Sequence, residues 1–375
     1  MLDFIPIEYF SKIFFWTMFT ICLITGLYYN DSKGCAKLLK SYSTLMPFLL
    51  TTILVLYIGL RPFSWAFSDM MMYRHLWNIT DPDYYEFEFG LRSEWFFRFI
   101  LNLCKFLVPD DAHFWFLIVE LFYIGCQFWA CKKLLWENVW MSILFVFFAY
   151  QFYTFGTNGI RNGMACGIMT LSISFFCDKT KVGFLIGFIL FLLAMGCHRS
   201  SMIPMAALMG SMFVFKDVKY AIYIWLVCIV LSLFMGTFFQ GLFASFGFDD
   251  RMSNYAMGAE ANSTMTRFSH VGFRWDFLLY SAMPVWLAWY VRYKGVINRT
   301  FTILANTYII ANSFWVLICR VSYSNRFAYL SWFLYALVIA YAVIRLPIWE
   351  DQDRNAGRIL LAHSAFTIIM FTLGK

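Results

Sequence analysis

Residues 43–61 read STLMPFLLTTILVLYIGLR, an unbroken apolar run that stops at an arginine. A helix of about 20 apolar residues is long enough to cross the hydrocarbon core of a bilayer. Runs of this kind recur along the chain, at residues 8–28, 43–60, 112–131, 139–156, 160–177, 182–197, 200–215, 219–241, 275–291, 301–319, 326–346 and 358–374. The sequence therefore predicts an all-α, polytopic integral membrane protein with about twelve transmembrane helices.

The composition of the 375-residue chain fits this class. Hydrophobic residues make up 61% and charged residues 14%, which is too apolar for a soluble globular domain. The longest segments between the apolar runs are residues 61–111 and 242–274. We therefore predict a single transmembrane domain over residues 1–375, with these two segments as large outer loops. Basic loops at a membrane account for the net charge of +7, and we expect no nucleic-acid partner.

The loops between the apolar runs fall into two alternating sets. One set holds 10 of the 13 lysines, and the other holds 11 of the 16 arginines. Because short lysine-rich loops mark the inner side of a membrane, the arginine-rich set and both termini are predicted to face outward. Arginine binds phosphate oxygens through a planar, permanently charged fork. The pattern predicts an outward-facing site for an anionic ligand.

The first large outer loop carries Arg61, Asp69 and Tyr73. Asp69 and Tyr73 are four residues apart, so a helix would place them on one face, directed into a cavity. Arg61 has two interpretations: an arginine that reaches from the end of a span to the membrane surface, or a clamp for an anion. Later in the loop, residues 93–108 have the spacing of an amphipathic helix on the membrane surface. Its predicted apolar residues are Trp95, Phe96, Phe99, Ile100 and Leu103.

A second motif, GTNGIRNG at residues 156–163, leads into a span with glycines at 159, 163 and 167. Glycines four residues apart allow another helix to approach closely. They do not explain Arg161, which lies one turn inside the predicted helix. A charge at that depth is costly and indicates a functional role, so we predict that Arg161 binds the ligand.

Two further motifs lie on the same predicted side. GCHRSS at residues 196–201 joins two short apolar runs, and an irregular backbone at membrane depth needs a polar cavity. Its His198 can exchange a proton near neutral pH, with Arg199 and Ser201 beside it. RVSYSNRFAY at residues 320–329 places Arg326 at the mouth of a predicted helix, with Tyr329 about one turn further along.

The order of these motifs resembles the EpsG family of bacterial polysaccharide polymerases, which is related in role to the Wzy-type O-antigen and capsule polymerases. The resemblance covers about residues 55–330. It rests on four patterns, R-x₇-D-x₃-Y (Arg61, Asp69, Tyr73), N-x-x-R-x-x-x-A (Asn158, Arg161, Ala165), H-x-S-S (His198, Ser200, Ser201) and R-F-x-Y (Arg326, Phe327, Tyr329). Two positions depart from the family: Asn162 replaces a common glutamine, and Arg199 replaces a frequent lysine.

The resemblance implies a membrane glycosyltransferase of GT-C-like architecture in the bacterial inner membrane, with its site on the periplasmic face. Its donor and acceptor would be oligosaccharide repeat units linked to undecaprenyl pyrophosphate, and a chain-length regulator is a possible partner. Transfer would be inverting, without a metal or another cofactor. His198, Asp69 and Arg161 are the expected catalytic residues, with His198 before Asp69 as the base. The expected substrate-binding residues are Arg61, Tyr73, Asn158, Arg199, Ser201, Arg326 and Tyr329.

Other functions remain open at the level of sequence. Another outer-face sugar transferase or ligase would use the same arginines. A flippase for a lipid-linked glycan would need charges along a two-sided path, whereas Glu120 is the only acidic residue deep in a predicted span. A membrane acyltransferase would need a site open to a cytoplasmic acyl donor, and the predicted inner loops contain no histidine motif.

Overall fold

The computed structural model describes residues 2–31, 45–84, 87, 89–90, 93–178, 180–245, 272–321 and 324–373. Within these ranges the regular structure is entirely helical. The helices group into two compact units, one of residues 1–198 and 343–375, the other of residues 199–342. The single transmembrane domain over residues 1–375 stays a prediction. Residues 246–271 of the predicted outer loop 242–274 lie outside the described residues.

The first unit contains both N-terminal and C-terminal helices. In chain order these are α1 (Ile7–Asp31), α2 (Leu45–Gly59), α3 (Met70–Ile79), α4 (Trp95–Leu107), α5 (Ala112–Glu120), α6 (Cys126–Leu134), α7 (Val139–Phe147), α8 (Phe152–Thr157), α9 (Ile160–Phe176) and α10 (Lys181–Cys197). The C-terminal helix of this unit is Gln352–Leu373, which packs on α1. A π turn, Leu121–Gly125, connects α5 to α6 so that they form one long helix.

The second unit begins with a 3₁₀ turn at Arg199–Ser201. Its helices are α11 (Met202–Met209), α12 (Val218–Ser245), α13 (Trp275–Tyr293), α14 (Arg299–Leu317), α15 (Asn325–Trp332) and α16 (Tyr335–Arg345). The last three residues of α16 already belong to the first unit. The C-terminal helix Gln352–Leu373 of that unit is α17. Asn298 caps α14, because its side-chain oxygen accepts the Phe301 N–H. Asn312 connects three helices by accepting from Trp225 and donating to Ser281 and Ser331.

Each of the twelve predicted apolar segments is helical over most of its described length. Within the residues that the structure describes, six helical segments are long and apolar enough to span a membrane: Ile7–Asn30, Ala112–Leu134, Val218–Phe239, Arg299–Leu317, Asn325–Arg345 and Gln352–Leu373. Three shorter apolar helices are Leu45–Gly59, Trp136–Phe147 and Lys181–Cys197. The chain is therefore a membrane protein whose described part is all-helical, while the number of twelve spans stays a prediction.

Close packing around α9 explains two of the three regularly spaced glycines. A Cβ atom on Gly163 would lie 2.5 Å from the carbonyl oxygen of Phe155, and one on Gly167 would collide with the carbonyl oxygen of Tyr123. A Cβ on Gly159 would meet nothing within 4 Å. The prediction of close helix approach is confirmed at Gly163 and Gly167, and Gly159 instead occupies the N-cap position of α9.

The predicted amphipathic helix in the loop 61–111 is confirmed as α4. Its buried residues are Phe96, Phe97, Ile100, Leu101 and Cys104. Phe99 and Leu103, predicted to lie on the face directed to the membrane surface, are 39% and 40% exposed, whereas Phe96 and Ile100 of the same predicted face are buried. The helix has apolar residues on two adjacent faces, and only one of these faces packs on the protein.

Candidate functional site

The site region of the first unit begins at Arg61, directly after α2. Its side chain is fully buried, and its Nη1 lies 3.5 Å from Oε1 of Glu120 in α5. The guanidinium also donates to the carbonyl oxygens of Ile58 at 2.6 Å and Thr157 at 3.2 Å. Burial lowers the pKa of Arg61, and the Glu120 carboxylate opposes this shift.

This position differs from the cavity-facing anion clamp that the sequence suggested. The Arg61 side chain has no exposed surface and binds a carboxylate and two carbonyl groups of the protein, so its contacts are with the protein and not with a ligand. Its contact with the Thr157 carbonyl fixes the backbone next to Asn158. The role of Arg61 in substrate binding stays a prediction, because it requires the guanidinium to leave these partners.

Asp69 and Asn158 are brought together by this arrangement. The side-chain oxygen of Asn158 accepts the backbone N–H of Asp69 at 3.1 Å, although 89 positions separate them in sequence. Asp69 is half-buried and is the N-cap residue of α3, but its carboxylate makes no capping hydrogen bond. The preceding Ser68 has φ +48°, an uncommon conformation for a residue with a side chain. The turn therefore holds the Asp69 backbone in a defined place.

Tyr73 lies one turn after Asp69 on the same helix, as predicted. Its N–H donates to the Asp69 carbonyl oxygen at 3.1 Å. The ring is half-buried and lies edge-on to Phe97 and Trp115, with centroid distances of 6.0 and 6.2 Å. These contacts orient Tyr73 on α3.

Arg161 lies in the first turn of α9, where the helix dipole favours anions over cations. The Glu94 carboxylate, at the start of α4, forms an ion pair with the Arg161 guanidinium. The two side chains remain 24% and 23% exposed, so the pair is accessible, unlike the pair at Arg61. Glu94 offsets the unfavourable dipole and keeps the guanidinium at the mouth of the helix.

His198 follows the last residue of α10 with an extended backbone, and its N–H donates to the Ala194 carbonyl oxygen at 3.0 Å. Two residues earlier, a Cβ on Gly196 would lie 2.6 Å from the indole of Trp95. Trp95 is the neighbour of Glu94, so the end of α10 packs against the segment that holds Arg161. Glycine at 196 permits this approach.

The remaining predicted residues lie in the second unit. Arg199 is half-buried and Ser201 is buried, both in the 3₁₀ turn that precedes α11. Arg326 and Tyr329 are half-buried in the first two turns of α15, where the Asn325 amide donates to the Tyr329 hydroxyl at 3.3 Å. The motifs and the resemblance assign Arg61, Arg161, His198 and Arg326 to one outward-facing site, and we expect these four residues to line a shared cavity, which stays a prediction.

Two acidic residues at this site were not among the predicted site residues. Glu120 was noted only as an acid deep in a span, although such a residue requires a buried cationic partner. Arg61 is that partner. Glu94 gave no local signal, because it lies in a polar stretch with other acidic residues. Its significance follows only from its contact with Arg161.

Comparison with known proteins gives a family assignment. No curated protein and no solved structure matches the chain. Residues 44–373 match the EpsG family, which includes α2 and every later helix described above. The match extends beyond the motifs at both ends and covers most of the chain. The protein belongs to the EpsG family.

Proposed function

We propose that this protein polymerises oligosaccharide repeat units linked to undecaprenyl pyrophosphate, in the biosynthesis of a bacterial surface polysaccharide. Membership of the EpsG family supports a role like that of a membrane polysaccharide polymerase. The protein would act in the inner membrane, on its periplasmic face, together with a chain-length regulator. The outward assignment of the arginine-rich loops supports this location.

The observation that carries the proposal is the accessible pair of Arg161 and Glu94 beside the Asp69–Asn158 contact. An arginine at a helix N-terminus is suited to a phosphate, because the guanidinium and the helix dipole then attract the same anion. In the proposed complex, the donor pyrophosphate replaces Glu94 as the partner of Arg161. Arg199, Arg326 and Ser201 would bind the remaining pyrophosphate oxygens.

The reaction we propose is a direct displacement. A hydroxyl oxygen of the acceptor sugar forms a bond to the anomeric carbon of the donor, with inversion, while the bond from that carbon to the pyrophosphate oxygen breaks. Undecaprenyl pyrophosphate leaves with both electrons of the broken bond, stabilised by Arg161. The hydroxyl proton passes to His198 or, failing that, to Asp69. No metal takes part in this scheme.

The other predicted residues have supporting roles in this scheme. Tyr73, Asn158 and Tyr329 would hydrogen-bond sugar hydroxyls near the reacting atoms. Arg61 would act chiefly by holding the backbone at Thr157 and thus the position of Asn158. We therefore place Arg61 among the positioning residues rather than in contact with pyrophosphate.

Lipid-linked glycans isolated from a deletion strain test the proposal. Collapse of the polymer ladder to one repeat unit, restored by the wild-type gene, is the expected result. Intact polymer in the deletion strain would contradict it. Complete loss of surface glycan with precursor held in the inner leaflet would instead identify a flippase. Polymer of normal length that is not attached to its final acceptor would identify a ligase.

A further inference from the structure

A polar pocket lies on the predicted outer side of the first unit, and Arg161 is not among the residues that line it. It has a volume of about 430 Å³, within the range of about 300–1,000 Å³ typical of small-ligand sites. Its walls come from the N-terminal segment, from α3 and from the start of α5. The polar residues that line it are Asp3, Arg74, Asn78, Asp110, Asp111 and His113.

His113 gives this pocket a defined chemistry. Its Nδ1 lies 3.0 Å from Oδ1 of Asp111, and the same carboxylate accepts the His113 backbone N–H at 3.0 Å. Asp111 therefore fixes the ring and favours the tautomer with hydrogen on Nδ1. The residue is only 8% exposed, and its Nε2 is buried without a hydrogen-bond partner among the described residues. A buried nitrogen of this kind needs a partner, which a ligand hydroxyl can supply.

The charge of the pocket decides between ligand classes. Three aspartates face one arginine, so the lining is net negative and would repel a pyrophosphate. A metal ion fits poorly as well, because no group of three or more His, Cys, Asp or Glu side chains in the described part of the chain could hold one. Carboxylates accept hydrogen bonds, while Arg74 and Asn78 donate them. This mixture suits a neutral polyhydroxyl ligand.

The aromatic rings of the pocket pack against other side chains of the protein. Phe63 contacts both the His113 ring, at a centroid distance of 4.1 Å, and the Arg74 guanidinium, at 4.6 Å. Trp77 is 2% exposed and stacks on Trp115 at 6.1 Å. These rings orient the polar groups, so we expect recognition through hydroxyl groups rather than through stacking on a sugar face.

Helix α3 connects this pocket to the site described above. Asp69 occupies the position just before its first residue, and Arg74 and Asn78 lie five and nine residues further along. With a rise of about 1.5 Å per residue, they lie about 8 and 14 Å from Asp69 along the helix axis. An extended glycan could follow α3 from the reacting hydroxyl to the pocket.

We propose that the pocket around His113 binds a sugar of the acceptor glycan, remote from the reacting hydroxyl. His113 Nε2 accepts a hydrogen bond from a sugar hydroxyl, and Asp110, Arg74 and Asn78 bind neighbouring hydroxyls. The identification of this glycan as the acceptor of the reaction rests on the proposed function. Binding of a glycan by the pocket does not depend on that function. This subsite would hold the acceptor without using the pyrophosphate that Arg161 recognises.

Binding of lipid-free glycan tests this proposal. The probe is a set of oligosaccharides released by partial acid hydrolysis from the surface polysaccharide of the source organism, freed of lipid and pyrophosphate. The full chain is purified in detergent and titrated by saturation-transfer NMR. We expect binding by wild type and an affinity lower by about three- to tenfold in His113→Ala, the loss of about one hydrogen bond.

His113 is buried, so loss of binding in His113→Ala can also result from misfolding. A second variant, at an exposed residue of the pocket, separates the two causes. Asn78 is exposed, so Asn78→Ala should fold normally and also weaken binding. Asn102→Ala is the matched control, because Asn102 donates to the Arg98 carbonyl on α4 and does not line the pocket. Wild type that binds no oligosaccharide, or both pocket variants binding as wild type does, would overturn the proposal.

The outcomes separate this proposal from the polymerase proposal. If glycan binding depends on His113 but the deletion strain keeps an intact polymer ladder, the glycan-binding pocket is supported and the polymerase proposal is contradicted. If the ladder collapses but glycan binding is insensitive to replacement of His113 and Asn78, the polymerase proposal is supported and the glycan-binding pocket is contradicted.

Discussion

The guanidinium of Arg61 and the carboxylate of Glu120 lie 3.5 Å apart, with 0% and 1% of their side chains exposed. An ion pair shielded in this way is costly to break, because the remaining partner is left as an uncompensated buried charge. The pair joins the end of α2 to the middle of a membrane-spanning helix. It also holds the carbonyl of Thr157, next to Asn158.

We therefore predict that Glu120→Ala destabilises the protein by about 3–5 kcal/mol. The matched control is Glu137→Ala, which breaks the Arg345–Glu137 pair of 3.4 Å, whose side chains are 35% and 38% exposed. That loss should be below about 1 kcal/mol. Thermal unfolding in detergent measures both. Equal losses in the two variants would show that burial of the Arg61 pair has no special energetic weight.

The second prediction concerns Arg161. Arg161→Ala should lower the polymerisation rate by about 10²–10³, since it removes a charge-assisted contact to the leaving pyrophosphate. Arg161→Lys should recover activity only in part, because lysine lacks the planar fork. The rate is measured with purified protein and a lipid-linked repeat unit.

Glu94→Gln is the control for a purely structural role of Arg161. If the arginine served only to pair with Glu94, both Arg161→Ala and Glu94→Gln would lower the rate equally. We expect the Glu94 variant to retain much more activity. A comparable loss in the two variants would count against a phosphate contact.

The third prediction distinguishes the two candidate bases. His198→Gln keeps the size and hydrogen bonding of the side chain but not its basicity, so turnover should fall by about 10²–10⁴ while precursor binding persists. In wild type, the rate should fall at acidic pH, because a protonated base cannot accept the acceptor proton. If His198→Gln keeps the wild-type rate and pH profile, Asp69→Asn is the variant that should lose activity.

The fourth prediction is the orientation of the chain in the membrane. Tyr84 is 84% exposed on the predicted outer side, and Ile297 is 97% exposed on the predicted inner side. In intact spheroplasts, a membrane-impermeant maleimide should label Tyr84→Cys and not Ile297→Cys, and permeabilisation should expose both. The described native cysteines are buried or half-buried, which limits background labelling. The reverse pattern would invert the topology and place Arg161 on the cytoplasmic side.

Polar contacts in the structure are consistent with the alternation of loops on which that prediction depends. Within the first unit, Asp69 bonds Asn158 and Glu94 pairs with Arg161; Asp69, Asn158 and Glu94 are in loops assigned to the outer side, and Arg161 is in the first turn of the helix that follows one of them. Lys133 bonds Asp178 at 2.6 Å, between two loops assigned to the inner side. In the second unit, Arg292 bonds Asp217 at 2.8 Å, again between two inner loops.

The spans could be predicted because hydropathy over about 20 residues is a local property. Interruptions of the helix within a predicted span were harder to predict. The predicted span 139–156 breaks between Phe147 and Phe152, in a stretch without proline or glycine that gives no local signal. The division of the apolar residues of α4 between a buried and an exposed face was not predicted, because Phe99 and Ile100 are equally apolar and only tertiary packing separates them.

Pairings between distant residues were the least predictable part of the site. The motifs identified Asn158 and Asp69 individually, and the structure adds that one binds the backbone of the other. Arg61 was assigned to a ligand because it lies at the end of a predicted span, in the arginine-rich set of loops assigned to the outer side. Its actual partner, Glu120, is 59 positions away, and no periodicity connects the two.

The π turn at Leu121–Gly125 has a consequence for insertions and deletions in this helix. A π turn accommodates one residue more than an α turn, so it marks a place where chain length can change without altering the flanking turns. Deleting one residue there should leave a regular helix in which Glu120 still meets Arg61 and Lys133 still meets Asp178. The same deletion between Cys126 and Lys132 would rotate one flank by about 100° and separate one of these pairs. Natural length variation in this span is therefore expected to concentrate in the five residues after Glu120.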